Sequence, residues 1–316
     1  MPVGLYIIRR FVAMIPVLLL VSVIVFSLIH LTPGDPATSM LGEEATPQAV
    51  AALRAKLGLD QPIPIQYVKW LASVVRGDLG RSIRSNQPVS EAIVERLPVT
   101  VELAILAVTI SLLIAIPAGI VAAMRRNSAL DAGSTFVALL GVSLPNFFLA
   151  ILLILLFGVK LRWLPPFGYQ PLTQGLGGNL QRMILPAITL GTALAAIVTR
   201  MMRSSLLEVL DQDYIRTARA KGLGEVRMVR AHALKNALMP VVTIVGLQIG
   251  GLLGGAIITE SIFVLPGIGR LLVDAIFQRD FPLVQGVVLF VSLAFLFSNF
   301  AVDLAYAYLD PRIRYS

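Results

Sequence analysis

The sequence predicts an all-α polytopic membrane protein with six transmembrane helices. Three observations carry this. First, 57% of the 316 residues are hydrophobic and only 14% are charged, against roughly 25% charged in a soluble domain. Second, the charges cluster and leave six charge-free runs, at 11–34, 103–124, 132–159, 183–199, 236–259 and 281–302. Each approaches or exceeds the about 20 residues needed to cross roughly 30 Å of hydrocarbon. Third, the basic residues alternate in side. With the N-terminus placed inside, the inner segments hold 14 basic and 6 acidic residues and the outer segments 12 and 10. Such an excess of Lys and Arg marks the cytoplasmic face, and long loops are left out of the rule. Both termini are therefore expected in the cytoplasm. The net charge of +8 gathers on that face, where it meets anionic lipid or an acidic partner. Nucleic acid is the weaker match, because no folded basic domain exists to carry it.

The elements follow in order. The first run comes after Arg9 and Arg10. It is too long for a signal peptide's apolar core, and no A-x-A site follows before Pro33, so it reads as a retained span. Thr32-Pro33-Gly34-Asp35-Pro36 is a dense turn signal. Thr46-Pro47 reads as an N-cap with proline at the first helical position, and Gly58 ends that helix. Tyr67–Val75 is a further short amphipathic piece. Positions 32–97, with seven basic and seven acidic residues, thus form a small ordered cap. Pro98 and Thr100 introduce the second span, with Glu102 in its first turn, where the helix dipole favours a carboxylate. Pro117 and Pro145 lie inside the second and third spans and mark possible kinks. The fourth run is the shortest and extends past Arg200, whose side chain can snorkel.

The segment between the fourth and fifth runs is the most informative. Leu206, Leu207, Val209 and Leu210 continue the fourth helix into the cytoplasm. Asp211 and Asp213 break it, with Asp213 as a plausible N-cap. A short helix over 214–221 follows, closed by Gly222 in the left-handed position, with Lys221 complementing its C-terminus. A second helix starts near Glu225 and runs into the fifth span, with Pro240 near the bilayer surface. A short helix held crosswise between two spans is a rigid knob. By composition alone it would be a solvated basic loop.

The fifth span carries Gly246, Gly250 and Gly254 at intervals of four. Small residues at this spacing allow close helix packing, or a smooth wall for a passing solute, and both readings stand. Ile268, Leu271, Leu272, Ala275 and Ile276 follow an i, i+3, i+4, i+7, i+8 pattern. That helix is too short to cross, and either lies on the surface or folds into the mouth of a pathway. Asp303 near the end of the last span is the other acid at membrane depth.

Much chemistry is missing. There is no G-x-x-x-x-G-K-[ST] phosphate loop, G-x-S-x-G elbow or H-E-x-x-H pair. There is no cysteine, and His30 and His232 are too far apart to share a metal. The spans lack the carboxylate and histidine chains of proton-coupled carriers. The chain is therefore expected not to be an enzyme, and to draw energy from outside itself.

Arg216-Thr217-Ala218-Arg219-Ala220-Lys221-Gly222 resembles the EAA-type loop of ATP-binding cassette (ABC) import permeases. With His232-Ala233-Leu234-Lys235-Asn236-Ala237, the match is closer to the branch of that family handling dipeptides, oligopeptides, nickel and glutathione. Landmarks in order extend the resemblance over nearly the whole chain: Gly58-Leu59-Asp60-Gln61-Pro62, Gly77-Asp78-Leu79-Gly80, Pro266-Gly267-Ile268-Gly269-Arg270, Arg279-Asp280 and Asp310-Pro311-Arg312. Two departures stand out. Arg216 occupies the position of the general loop's glutamate, and Lys235 that of its proline. Both departures resemble the peptide-permease branch.

The resemblance implies a type I importer permease fold of the MetI-like kind. It implies a first helix over 1–31, an extracytoplasmic cap over 32–97 and a five-helix core over 98–316 with a coupling loop at 203–236. It implies partners: a second, homologous permease, two ATPases and an extracytoplasmic binding protein. ATP and Mg would be bound by the ATPases, with no cofactor in this chain. Asp213, Tyr214, Arg216, Thr217, Ala218, Arg219, Ala220, Lys221 and Gly222 would couple to the ATPase. Ile268, Leu271 and Leu272 would gate the outer side or meet the binding protein. A secondary transporter or channel is the alternative of another class.

Overall fold

The structure, a computed structural model, describes residues 3–31, 35–42 and 45–309. Two landmarks, Pro33-Gly34 and the C-terminal segment from Asp310, lie outside them. Thirteen α-helices occur among the described residues: α1 (Val3–Leu31), α2 (Pro36–Leu41), α3 (Pro47–Leu57), α4 (Ile63–Val75), α5 (Val89–Met124), α6 (Ala129–Ser143), α7 (Asn146–Leu153), α8 (Leu176–Leu210), α9 (Asp213–Ala220), α10 (Glu225–Met228), α11 (Leu234–Ile262), α12 (Ile268–Phe277) and α13 (Phe281–Leu309). Five described stretches are long and apolar enough to span a membrane: Ile7–Leu31, Val89–Met124, Leu176–Leu210, Glu225–Leu252 and Phe281–Leu304. A sixth is broken. α6 and the stretch Asn146–Lys160 meet at a bend of 100°. Leu144 is extended (ψ 122°), as the residue before a proline prefers, so Pro145 ends one helix rather than kinking a continuous one.

Two compact units divide the chain: Met1–Thr100 with Pro266–Phe297, and Val101–Leu265 with Ser298–Ser316. In the first unit, Thr46 accepts from the Ala49 amide at 3.2 Å and Gly58 closes α3 with φ +65°, as the turn chemistry predicts. α5 begins at Val89, nine residues before Pro98. Val89 is fully buried with Ala92, Ile93, Ile268, Leu283 and Val287, and this packing holds the first turns of α5 in place. Asp280 pins the Ser82 hairpin. Its carboxylate accepts from Ser82 Oγ at 2.5 Å and from the Ile83 amide at 3.2 Å. The Ile268 amide donates to Thr100 Oγ1 at 2.9 Å.

α8 is central to the second unit and packs on α11, α6 and α7. It runs past Arg200 to Leu210 as one helix. At Gly191 a Cβ would fall 2.8 Å from the Ala107 carbonyl oxygen, so glycine there permits close approach of α5. Glu102 is corrected by the structure. It lies several turns into α5 rather than in its first turn, too far from the terminus for the dipole to act. Its Oε2 instead accepts from the Tyr169 hydroxyl at 2.8 Å. Burial, and then the hydrogen bond to Glu102, push the Tyr169 phenol up to about 12, so it remains a donor throughout the neutral range.

Candidate coupling site

The site is built from the C-terminal end of α8, the short helix α9 and the start of α11. α8 stops at Asp211. Gln212 is extended (ψ 150°) and is the N-cap residue of α9. Asp213 therefore occupies the first helical position and not the N-cap. It still serves the helix, since a carboxylate in the first turn complements the dipole. The end of α9 matches the sequence reading. Gly222 has φ +81°. Its amide donates to the Arg219 carbonyl at 3.0 Å, and the Leu223 amide to the Ala218 carbonyl at 3.4 Å. This pair of bonds is the Schellman arrangement, which needs a left-handed residue at C′.

Two residues seat α9. Ile215 is fully buried and Ala218 nearly so, three apart on one face. They join Met202, Leu206, Met228, Val229 and Ala233 in one apolar cluster, with Leu223 packed against it. Of the nine residues expected to couple, the structure thus buries Ala218 and presents Asp213, Tyr214, Arg216, Thr217, Arg219, Ala220, Lys221 and Gly222. The presented face is mainly basic. Arg216 and Asp213 approach at 3.4 Å but are both widely exposed, so this pair contributes little.

Three polar links, none paired by sequence reasoning, tie α9 to α11 and α8 to its neighbours. Asn236 Nδ2 donates to the Tyr214 hydroxyl at 2.8 Å, and that hydroxyl donates to the His232 carbonyl at 3.4 Å. α9 is thereby joined to the base of α11. The buried Ser205 hydroxyl donates to the Ala237 carbonyl at 2.9 Å, joining α8 to α11. Arg203 forms a two-pronged pair with Asp131, at 2.6 and 2.8 Å, joining α8 to α6. The only signal the sequence offers for this pair is Asp131 standing as a single acid close to Arg125 and Arg126.

The other predicted residues are not gathered here. Gly246 lines a cavity of about 1260 Å³ with Tyr214, Asn236, Glu208, Ile249 and Val302. A Cβ on Gly246 would press into the Val302 side chain, so close packing of α11 on α13 holds at this residue. Gly250 is buried, and the surroundings of Gly254 lie outside the described residues. Ile268 is buried in the first unit, with Leu271 and Leu272 packed at the edge of the same cluster. α12 therefore turns Ile268, Leu271, Leu272 and Ala275 into that unit's core, whereas Ile276, the last residue of the predicted stripe, is exposed with Phe277.

A multi-pass helical membrane protein with a basic cross-helix rigidly seated between two spans is the architecture of an import permease. The comparisons agree. Residues 115–315 match the family described as binding-protein-dependent transport system inner membrane component. Residues 4–104 match the N-terminal family of the same transport systems. The chain belongs to this family and is a transmembrane permease subunit of an ABC importer. It is 46% identical over 330 residues to a dipeptide transport system permease protein, DppB, of Alkalihalophilus pseudofirmus, covering 98% of this chain and 99% of the relative. It is 48% identical to a putative peptide transport system permease protein of Brucella abortus, covering 98% of both. It is 44% identical to the glutathione transport system permease protein GsiC of Escherichia coli O6:H1, covering 98% and 99%. In fold it resembles a chain of the inward-facing MetNI methionine ABC transporter, with TM-score 0.57 and 18% identity, covering 69% of this chain and 96% of that one.

Proposed function

We propose that this chain forms half of the translocation pathway of an ATP-driven importer of dipeptides or oligopeptides in a bacterial inner membrane. A second, homologous permease completes the pathway. Two ATPases, carrying ATP and Mg, dock on the cytoplasmic side, and an extracytoplasmic binding protein delivers substrate. Both termini are cytoplasmic, a small cap over 32–97 faces out, and positions 203–236 carry the coupling loop. The exposed face of α9 seats in a groove of one ATPase. Closure of the ATPases then rocks the spans between inward-open and outward-open states.

One observation carries this reading: the seating of α9. A helix fixed by Ile215, Ala218 and the Tyr214–Asn236 link cannot be pushed without moving α8 and α11. Likeness over nearly full length to permeases named for peptides supports the substrate class. A glutathione permease at comparable identity keeps glutathione as a second reading, and a nickel chelate is a further alternative.

The test is to tag the chain, extract it from its native membrane in mild detergent and identify what copurifies. Recovery of a second permease and ATPases, followed by ATP-dependent dipeptide uptake into vesicles with the binding protein, is the expected result. Uptake of glutathione but not of peptides would transfer the assignment. Flux without ATPases would mean an autonomous carrier or channel.

A further inference from the structure

The cap contains a helix whose outward face is apolar. In α4, Ile65, Val68, Ala72 and Val75 are all exposed, Val68 at 63% and Val75 at 79%. At 100° per residue these four share one arc, bordered by the exposed Lys69 and Arg76. The opposite face is occupied. Gln66, Tyr67 and Trp70 pack on α1, where His30 Nε2 lies 3.1 Å from Gln66 Oε1 and Phe26 meets the rings of Tyr67 and Trp70 at 5.4 and 5.5 Å.

The contacts also fix depth. The Tyr67 hydroxyl lies 2.8 Å from Ser22 Oγ. Ser22 is nine residues short of Leu31, the end of α1, or roughly 14 Å along the helix axis. After Arg10 the remaining 21 residues of α1 carry no formal charge and measure roughly 31 Å, the thickness of the hydrocarbon core. Even the longer stretch Ile7–Leu31, roughly 37 Å, exceeds that thickness by less than the roughly 14 Å between Ser22 and Leu31, so Ser22 stays within the bilayer. Leu20, Val23 and Ile24 of α1 at that level are exposed and apolar as well. An apolar helix face held beside them shares their solvent. This holds whichever way α1 is oriented.

We infer that α4 is an interfacial helix set into the leaflet at the Leu31 end of α1, its Ile65–Val68–Val75 face against acyl chains. Lys69 and Arg76 sit at the headgroup border, as basic residues flanking such helices do. The cap is then partly a membrane element that braces α1 rather than a wholly aqueous domain.

The test uses the assembled transporter in liposomes. The chain has no cysteine, so Val68→Cys and, separately, Ile65→Cys take one nitroxide label each, with partner cysteines replaced. Ser85→Cys in the exposed hairpin serves as the aqueous reference. Both α4 labels should show a ratio of oxygen to nickel-chelate accessibility several-fold above that of the reference. Nickel-chelate access at Val68 and Ile65 equal to that at Ser85 would place α4 in water and overturn the inference. Shielding of both labels from both reagents would show a protein partner on this face and overturn it equally.

Discussion

Replacing Gly222 by valine is expected to uncouple the transporter without unfolding it. Gly222 sits at φ +81°, and a Cβ placed there meets nothing within 4 Å. The cost is therefore backbone strain alone, about 1–2 kcal/mol for an ordinary L-residue and more for a β-branched one. If the chain escapes that strain, it gives up the two closing bonds from the Gly222 and Leu223 amides, worth about 1 kcal/mol each. Either route costs about 2 kcal/mol, which corresponds to roughly a thirtyfold smaller population of the closed cap. The apolar seat of Ile215 remains, so subunits should still assemble. The assay compares substrate uptake with ATP hydrolysis in proteoliposomes. Uptake per ATP should fall in the order Gly, Asn, Ala, Val, because asparagine tolerates the left-handed region. Wild-type coupling by Gly222→Val, or Asn as damaging as Val, would refute a conformational role for this glycine.

Other outcomes follow from the same contacts. Arg203→Ala removes the two-pronged partner of Asp131 and should lower the stability of the protein measurably. In thermal unfolding of the solubilised protein, adding Asp131→Asn should recover part of that loss. Gly246→Ala drives a methyl into Val302, an overpacking cost of about 1–3 kcal/mol, and Val302→Ala in the same chain should relieve it. The Asp35 carboxyl is opposed by burial yet held below its ordinary 3.8 by hydrogen bonds from Thr38 and Arg54. Its contribution to the start of α2 is therefore present above about pH 4 and lost as pH falls below it. Protection of the Thr38 amide against hydrogen exchange, taken relative to the intrinsic rate at each pH, should fall on acidification in the native chain and lose that dependence in Asp35→Asn. A cysteine in place of Lys221 should resist an impermeant reagent outside intact cells and react once the membrane is opened. Labelling from outside would reverse the topology.

Local signals made much of this protein legible as sequence. Charge-free length predicted the spans, because bilayer thickness and helix rise leave few solutions. Thr46, Gly58 and Gly222 marked helix ends because caps depend on residues a few positions apart. The α9 knob was visible for the same reason. Its attachments were not, because Tyr214 with Asn236, Ser205 with Ala237 and Asp131 with Arg203 are partners that local periodicity does not select. Long-range packing also decided where local rules misled. Burial of Val89 carries α5 back before Pro98, and Tyr169 gives Glu102 a partner in place of the helix dipole. The pattern of α12 declared a face without saying what would cover it, and the fold supplied Val89, Ile93 and Val287. Periodicity reports that a face is apolar, whereas only the folded chain decides whether protein or lipid lies against it.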